Sequence, residues 1–493
     1  MITKAFLFRK YAQTNADLAE AFGGDDEMML ADHFDRFGQR EMRGLQFNDY
    51  MRLEGLLCSD AGDFYIAGWA DRRIISTLDV VIEVGYVRHD LGRIEPVWYP
   101  RTDVTTLTGD TQNDQGFLAL IHLPDMLVHS DLTIYINGKR VRHEATVRWQ
   151  STPLFLNQAL GAAAVVADMP IGKSIQLAEP IYNGFVGVWQ RFLEGLRFTL
   201  AFENRPRETH PRSIVITLYR GADMLLVQLR ELAGFLIDTD TEVVVVGNDL
   251  IGAEATLVQL RAFCQIHDIS LRVYLCSGNS GFSRGNNFGA EMARGETLIL
   301  MNPDIFPPET DAARAYAFLT EPAGDALHGA LMYYGDGMLM HSGMYAALDL
   351  CYDQNSGFSA PVLRCEHFGK GLSHRITDDD ASLAHALEGV QDDKLLVSAA
   401  LWKIRRDVFF DVGGLSTEYL FAYYEDADFC LRLREMGIEI KLDRSARWIH
   451  MEGVGKTMTP AQRTFMWLNR YFFTQRFRAS AFVVDAADEM DML

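Results

Sequence analysis

Apolar and polar positions are arranged in four different ways along this chain. Residues 1–45 carry runs of Ala, Leu, Met and Glu over Ala12–Phe22 and Glu27–Phe37, split by Gly23 and Gly24, and predict a small helical module. Residues 46–150 change to short runs rich in β-branched and aromatic residues, among them Leu78–Val87, Phe117–His122 and Leu132–Ile136, separated by Gly, Asp and Asn. That alternation predicts a small β-sandwich-like domain. Residues 151–205 combine an Ala-rich apolar run with an aromatic stretch around Trp189 and read as a connector that packs on its neighbours. No repeat recurs at a fixed period.

Over residues 206–475 apolar strands and amphipathic helices take turns. Ser213–Leu218, Glu242–Val246, Ser270–Leu275 and Thr297–Met301 read as buried strands, with helices over Met224–Phe235, Thr256–Ile266 and Asn286–Ala293 between or beside them. This rhythm predicts an α/β domain with parallel pairing and right-handed crossovers. Sheets of that kind bind ligands beyond the C-terminal ends of their strands, so the residues after each strand are the ones to inspect. Residues 476–493 read as an acidic tail.

Composition narrows the functional classes. A chain of 493 residues exceeds one ordinary core, and 48% hydrophobic with 23% charged residues is the balance of a folded protein. The net charge of -21 works against general affinity for nucleic acid. The longest apolar run, Leu160–Met169, is too short to cross a membrane and is interrupted by Asp168. The first residues lack the apolar core of an export signal, and the expectation is a cytoplasmic protein. The six cysteines include no CxxC pair, which excludes a zinc ribbon or a thioredoxin motif.

Three segments carry candidate chemistry. Asn302-Pro303-Asp304 follows the strand ending at Met301, so Asp304 stands at the sheet's C-terminal edge, where a carboxylate can hold Mg²⁺ or Mn²⁺ against a diphosphate. The same tripeptide is also a common turn. Upstream, Asn279–Gly289 spaces glycines at 281, 285 and 289 before a helix, an arrangement that allows close backbone approach and offers helix N–H groups to an anion. Glu425-Asp426-Ala427-Asp428 opens a further helix ended by Gly437; acidic residues in a first turn suit the helix dipole, but three carboxylates exceed what a cap requires. Trp448 and His450 then alternate along a short strand.

The order and spacing of these segments, with Gly413-Gly414-Leu415 between them, resemble family 2 glycosyltransferases of the GT-A fold over about residues 210–475. Asp336-Gly337, His341-Ser342-Gly343-Met344 and His367 are similar to a bacterial subgroup associated with surface polysaccharides. Tyr11, Asn15, Asp17 and His33 to Glu41 resemble a short module of bacterial cell-surface proteins and transferases. Gly68-Trp69-Ala70-Asp71 with Arg101, Asp103 and Val104 resembles a β domain that accompanies such transferases.

The resemblance implies an inverting transfer from a nucleotide-diphosphate sugar to a hydroxyl of a glycan or lipid-linked acceptor, at the inner face of the plasma membrane where the acceptor is lipid-linked. It implies Asp426 as the catalytic base with Glu425 beside it, and Asp304 with His450 as ligands of Mn²⁺ or Mg²⁺. Nucleotide contacts are implied for Thr217, Tyr219, Asn248, Asp249, Asn279, Gly281, Asn286 and Asn302. The segments after the first two strands, Thr217-Leu218-Tyr219-Arg220 and Val246-Gly247-Asn248-Asp249, depart from the family pattern, leaving open which of Asn248 and Asp249 meets the nucleotide. A non-catalytic sugar-binding scaffold with a degenerate transferase domain is the alternative reading.

Overall fold

The structure, a computed structural model, describes residues 16–22, 29–30, 33, 51–108, 114–124, 132–141, 149–353, 358–369, 374–388, 390–451 and 457–484. Contacts divide the chain into two units, Met1–Met169 with Gln176–Val188, and Pro170–Ile175 with Trp189–Leu493. Of the expected N-terminal module, Ala16–Phe22 is helical, as are Met29, Leu30 and His33; the rest of it lies outside the described residues.

Among its described residues the first unit holds nine strands: β1 (Met51–Ser59), β2 (Asp63–Ala70), β3 (Leu78–Val84), β4 (Val87–Ile94), β5 (Val97–Tyr99), β6 (Gly116–His122), β7 (Leu132–Ile136), β8 (Lys139–Val141) and β9 (Trp149–Gln150). They form a five-stranded sheet, β5-β6-β2-β1-β9, and a four-stranded sheet, β4-β3-β7-β8. Phe64, Ile66 and Phe117 from one and Leu78, Val80, Ile82 and Ile136 from the other share a single core, which is what a sandwich requires. Strand β2 is buried on both faces, unlike the usual half-solvated antiparallel strand. Helical residues of the same unit lie against the five-stranded sheet: a Cβ on Gly184 would stand 2.7 Å from Leu120. The motif residues here are structural: Gly68 admits the Arg52 carbonyl, Asp71 pairs with Arg73, and Arg101 bridges Glu54 and Asp103.

Residues 151–205, expected to be a connector, are two helices, Thr152–Ala167 and Ile171–Gly195, and the strand β10 (Phe198–Asn204). That strand is already the edge of the second unit's sheet, antiparallel to β13 (Ser270–Cys276). The sheet continues through β12 (Glu242–Asn248), β11 (His210–Tyr219) and β14 (Gly295–Met301), all parallel to β13. Beyond β14 it becomes mixed, with β20 (Leu401–Arg405), β16 (Leu327–Tyr333), β21 (Ile440–His450) and β15 (Ile305–Phe306), and with β17 (Leu339–His341) paired to β16. A separate hairpin joins β18 (Met344–Asp353) to β19 (Phe358–His367).

Successive residues of β14 enter opposite cores. Leu298 and Leu300 face the layer that holds Trp402, Phe409 and Phe429, while Ile299 and Met301 face the layer of Leu225, Leu229 and Phe318. Burial on both faces explains why these strands read as unbroken apolar runs. The expected helices are present and longer: Asp223–Asp238, Ala253–Ile266 and Gly281–Met292. The segment read as a glycine-rich loop is therefore the start of a helix. Its glycines serve packing, since a Cβ on Gly285 would lie 2.8 Å from Thr217 and one on Gly289 2.4 Å from Val215. Nor is residue 476 onward simply a tail: a helix spans Pro460–Phe477, and Val484 bridges to Ala347.

Candidate active site

The C-terminal ends of the parallel strands gather the residues of interest. Register places Tyr219 beside Asn248, and Met301 beside Leu401, so Asn302 and Ala400 emerge together. Asn302 donates its amide to the Ala400 carbonyl at 2.8 Å. Three residues on, Ile305 pairs with His450 across β15 and β21, and the Met451 amide donates to the Asp304 carbonyl at 3.0 Å. That pairing sets His450 Nε2 3.3 Å from Asp304 Oδ1. The His450 ring is buried and its Nδ1 has no hydrogen-bond partner.

Asp304 and His450 fit a hard divalent cation as a partial set. Neighbouring donors around a cation with bonds near 2.1 Å stand about 3.0 Å apart, close to the separation seen here. Among the described residues no group of three His, Cys, Asp or Glu side chains could hold a metal by itself. Mg²⁺ and its relatives are commonly held by one or two protein groups plus substrate phosphate oxygens, which suits a two-donor site.

The acidic helix Glu425–Glu435 begins after a strained approach. Phe421, Tyr423 and Tyr424 have φ of 59°, 81° and 74°, in the left-handed region that L residues avoid. Each such residue costs on the order of 1 kcal/mol or more, so the loop must be held from outside. The fully buried Asn469 holds it: its amide group donates to the carbonyls of Leu420 at 3.0 Å, Ala422 at 2.8 Å and Tyr423 at 3.3 Å, and its Oδ1 accepts from the Leu420 amide at 2.8 Å.

The three carboxylates that follow have separate fates, and the helix N-cap is Tyr424, so none of them is the capping residue. Asp428 is fully buried and accepts from Tyr419 Oη, Arg432 Nε and an Arg476 guanidinium nitrogen, a structural cluster. Glu425 is buried with Oε2 unpartnered; burial, then the Asp426 charge, pushes its carboxyl well above the usual range. Asp426 is partly exposed. Burial raises its carboxyl too, but the Ala427 amide at 2.8 Å, the Ala399 amide at 3.4 Å and the Ser398 hydroxyl favour the charged form. Of the adjacent pair, Asp426 is the one equipped to carry the charge.

On the nucleotide side the expected residues divide in two. Asn248 is buried: its Oδ1 accepts from Ser280 Oγ at 2.6 Å and its Nδ2 donates to the Gly281 carbonyl at 3.1 Å. Gly281 is covered by Trp189 and Phe421, and Asn286 turns its amide to the Phe282 carbonyl at 2.9 Å. Asn279 accepts from the Gly281 amide at 2.9 Å. These four are engaged in the fold. Tyr219 and Asp249 are exposed, with Asp249 3.4 Å from Arg220 Nε, and Thr217 carries a buried Oγ1 without a partner.

Several organising residues carry no motif. Fully buried Gln228 donates to the carbonyls of Asn302 at 2.7 Å and Ile305 at 2.8 Å, gripping both ends of the Asp304 turn. Asn287 exchanges two hydrogen bonds with the Leu415 backbone. For Gln228 the signal was a polar residue on the buried face of an apolar helix, among Leu225, Leu229 and Leu232. A cavity of about 800 Å³ at the opposite end of the sheet, beside Arg294, Gly295 and Arg405, includes none of these groups.

The second unit has the GT-A fold, a mixed sheet with these residues gathered at the C-terminal ends of its parallel strands. Residues 213–345 match the sequence model of glycosyl transferase family 2. The uncharacterized protein y4gI of Sinorhizobium fredii is 26% identical over 255 residues, 51% of this chain. The chain spans about a quarter of that relative's length, 26%. Among solved structures, a mannosyltransferase of Pyrobaculum calidifontis in complex with GDP-Man and Mn²⁺ is 12% identical over 64% of this chain and 80% of its own, at a TM-score of 0.33. GalNAc-T7 with UDP, GalNAc and Mn²⁺ is 14% identical over 55% and 50%, at 0.35. Likenesses this loose transfer no chemistry. Among the described residues no helix is long and apolar enough to cross a membrane.

Proposed function

We propose that the second unit transfers a glycosyl group, with inversion, from a nucleoside diphosphate sugar to a hydroxyl of a glycan or lipid-linked acceptor. One observation carries the reading. A single three-residue turn, Ser398–Ala400, serves both candidate halves of the reaction: its Ala399 amide meets Asp426, and its Ala400 carbonyl meets Asn302 beside Asp304. Bound there, a divalent cation on Asp304 and His450 would offset charge building on the departing diphosphate. The exposed Tyr219 and Asp249 and the unpartnered Thr217 hydroxyl are the groups left to meet the nucleotide.

Asp426 takes the proton of the acceptor hydroxyl as that oxygen attacks the anomeric carbon. The bond from that carbon to the diphosphate oxygen breaks, and the nucleoside diphosphate leaves with the electron pair. Attack opposite the leaving group inverts the centre in one displacement. Burial and the Asp426 charge disfavour the ionised form of Glu425, which makes Asp426 the better-placed base. The subgroup resemblance around His341 and His367 points to cell-envelope polysaccharide as the product class.

Asp426→Asn tests the reading, because it keeps shape and removes the proton acceptor. At saturating donor, transfer should fall by about 10²-fold or more while nucleotide binding persists. Native turnover in that variant would end the catalytic assignment and leave a sugar-binding role.

A further inference from the structure

His341 and His367 take no part in the chemistry described so far, yet His341 meets the catalytic turn and His367 meets His341. His341 is fully buried at the end of β17. Its Nδ1 lies 2.8 Å from His367 Nδ1, and its Nε2 lies 3.4 Å from the backbone nitrogen of Ser398. A backbone N–H can only donate, so His341 Nε2 is the acceptor and must be bare. The neutral ring then carries its proton on Nδ1 and donates it to His367 Nδ1. His367 in turn carries its own proton on Nε2. The network thus selects one tautomer for each ring.

The segment around His341 is pinned on both sides. Ser342 Oγ donates to the Phe368 carbonyl at 2.6 Å, and the Phe368 amide donates to the Gly343 carbonyl at 3.0 Å. Met344 exchanges two backbone hydrogen bonds with Leu396, each 2.8 Å. Gly343 makes the crossing at φ 99°, where a Cβ would meet Leu395 at 2.3 Å. Every residue of the His341-Ser342-Gly343-Met344 motif therefore helps to lock the open end of the β18–β19 hairpin, where Met344 pairs with His367, onto residues 395–398.

We propose that His341, gripped by His367, is a positioning residue that sets the Ser398–Ala400 turn and through it the Asp426 carboxylate. The turn's other hydrogen bonds run to the site, within the turn, or to the strand it opens: the Ser398 hydroxyl and Ala399 amide to Asp426, the Ala400 carbonyl to Asn302, the Ala400 amide to Ser398 Oγ, and the Ser398 carbonyl to the Leu401 amide. His341 ties the Ser398 amide to a group outside the reaction. Without that tie the turn can rotate the two donors away from Asp426 and alter both the orientation and the basicity of its carboxylate.

This inference rests on the reading of Asp426 as the base, and two amide substitutions test it. In His341→Gln the carbonyl oxygen falls near the position of Nε2, so it can accept from Ser398 while the link to His367 is lost. In His341→Asn the amide N–H falls near Nδ1, so the His367 link survives and the Ser398 acceptor is lost. With donor KM within about twofold of native, His341→Asn should lose about tenfold or more in kcat, and His341→Gln should recover most of it. A merely structural histidine would lower the melting temperature in both variants and leave kcat of the folded protein native. Native kcat in His341→Asn, or equal impairment in the two variants, overturns the proposal.

If neither variant folds, the half-buried partner supplies the test. His367→Leu should lower kcat several-fold, and His367→Asn, whose carbonyl can accept the Nδ1 proton, should restore it; native kcat in the leucine variant overturns the proposal. Asp426→Asn is assayed in parallel on the full chain. Normal turnover there overturns the base reading and this inference with it, whereas a collapse there with native His341→Asn overturns this inference alone.

Discussion

His450 Nε2 lies 3.3 Å from Asp304 Oδ1 because the short strand after Pro303 pairs Ile305 with His450 itself. Neither side chain alone would retain a divalent cation, and each lacks the other's contribution in the variants Asp304→Asn and His450→Gln. Both variants should abolish the Mn²⁺-dependent rise in melting temperature produced by a nucleoside diphosphate, while leaving the melting temperature of the unliganded protein nearly unchanged. An undiminished rise in either variant would remove that residue from the metal site.

Asn248 and Asp249 are adjacent in sequence and opposite in environment. Asn248→Ala orphans Ser280 and the Gly281 carbonyl, and should cost about 2 kcal/mol in urea denaturation. Asp249→Ala removes an exposed pairing with Arg220, worth about 1 kcal/mol at most, at a backbone φ of 46° that alanine tolerates less well, so it should weaken nucleotide binding with a stability loss smaller than that of Asn248→Ala. Calorimetric titration of both variants with nucleoside diphosphates distinguishes the roles, and native affinity in Asp249→Ala removes that residue from the nucleotide site.

Glu425 imposes a pH dependence whose sign is set by its raised carboxyl. Its ordinary value is 4.5, and burial with the Asp426 charge holds the folded-state value well above that. A carboxyl raised on folding contributes stability that is full below its unfolded pKa and is lost as pH rises toward the folded one. Glu425→Gln escapes that loss. Its melting temperature should match native below about pH 4.5 and exceed it increasingly as the pH rises above that. A difference independent of pH would mean that Glu425 does not change protonation on folding.

Asn469 holds the strained backbone ahead of Asp426 by four hydrogen bonds to main-chain groups. Asn469→Leu keeps the volume and leaves those groups without partners in a buried site. Stability should fall by about 3 kcal/mol or more, and kcat should fall further than donor affinity, because the helix start carrying Asp426 is released. Loss of less than about 1 kcal/mol in chemical denaturation would show that the Phe421–Tyr424 turn supports itself.

Much of this arrangement was legible along the chain. Unbroken apolar runs such as Val243–Val246 can only be strands buried on both faces, and the alternation with amphipathic helices implied the parallel half of the sheet. The turn after Pro303 and the acidic helix start were visible as local patterns, since strand ends and helix first turns are set by neighbours in sequence. The glycines at 281, 285 and 289 were visible too, but their use was not. Spacing of four suits a loop around a phosphate and equally one face of a helix, and only the proximity of Thr217 and Val215 selects the helix.

Residue type and local period, then, determined which elements form and which side chains could carry charge, because those depend on chain geometry a few residues long. Tertiary structure decided which of the chemically equal candidates does what. Asp426 and Asp428 are two residues apart and both acidic, but one meets two backbone amides and a hydroxyl at a partly open edge, and the other is closed between Arg432 and Arg476. Asn248 was drawn inward by Ser280, and Asp249 was left outside. A carboxylate or amide acquires its role from the desolvation and hydrogen-bond donors around it, and those are supplied by segments far away in sequence.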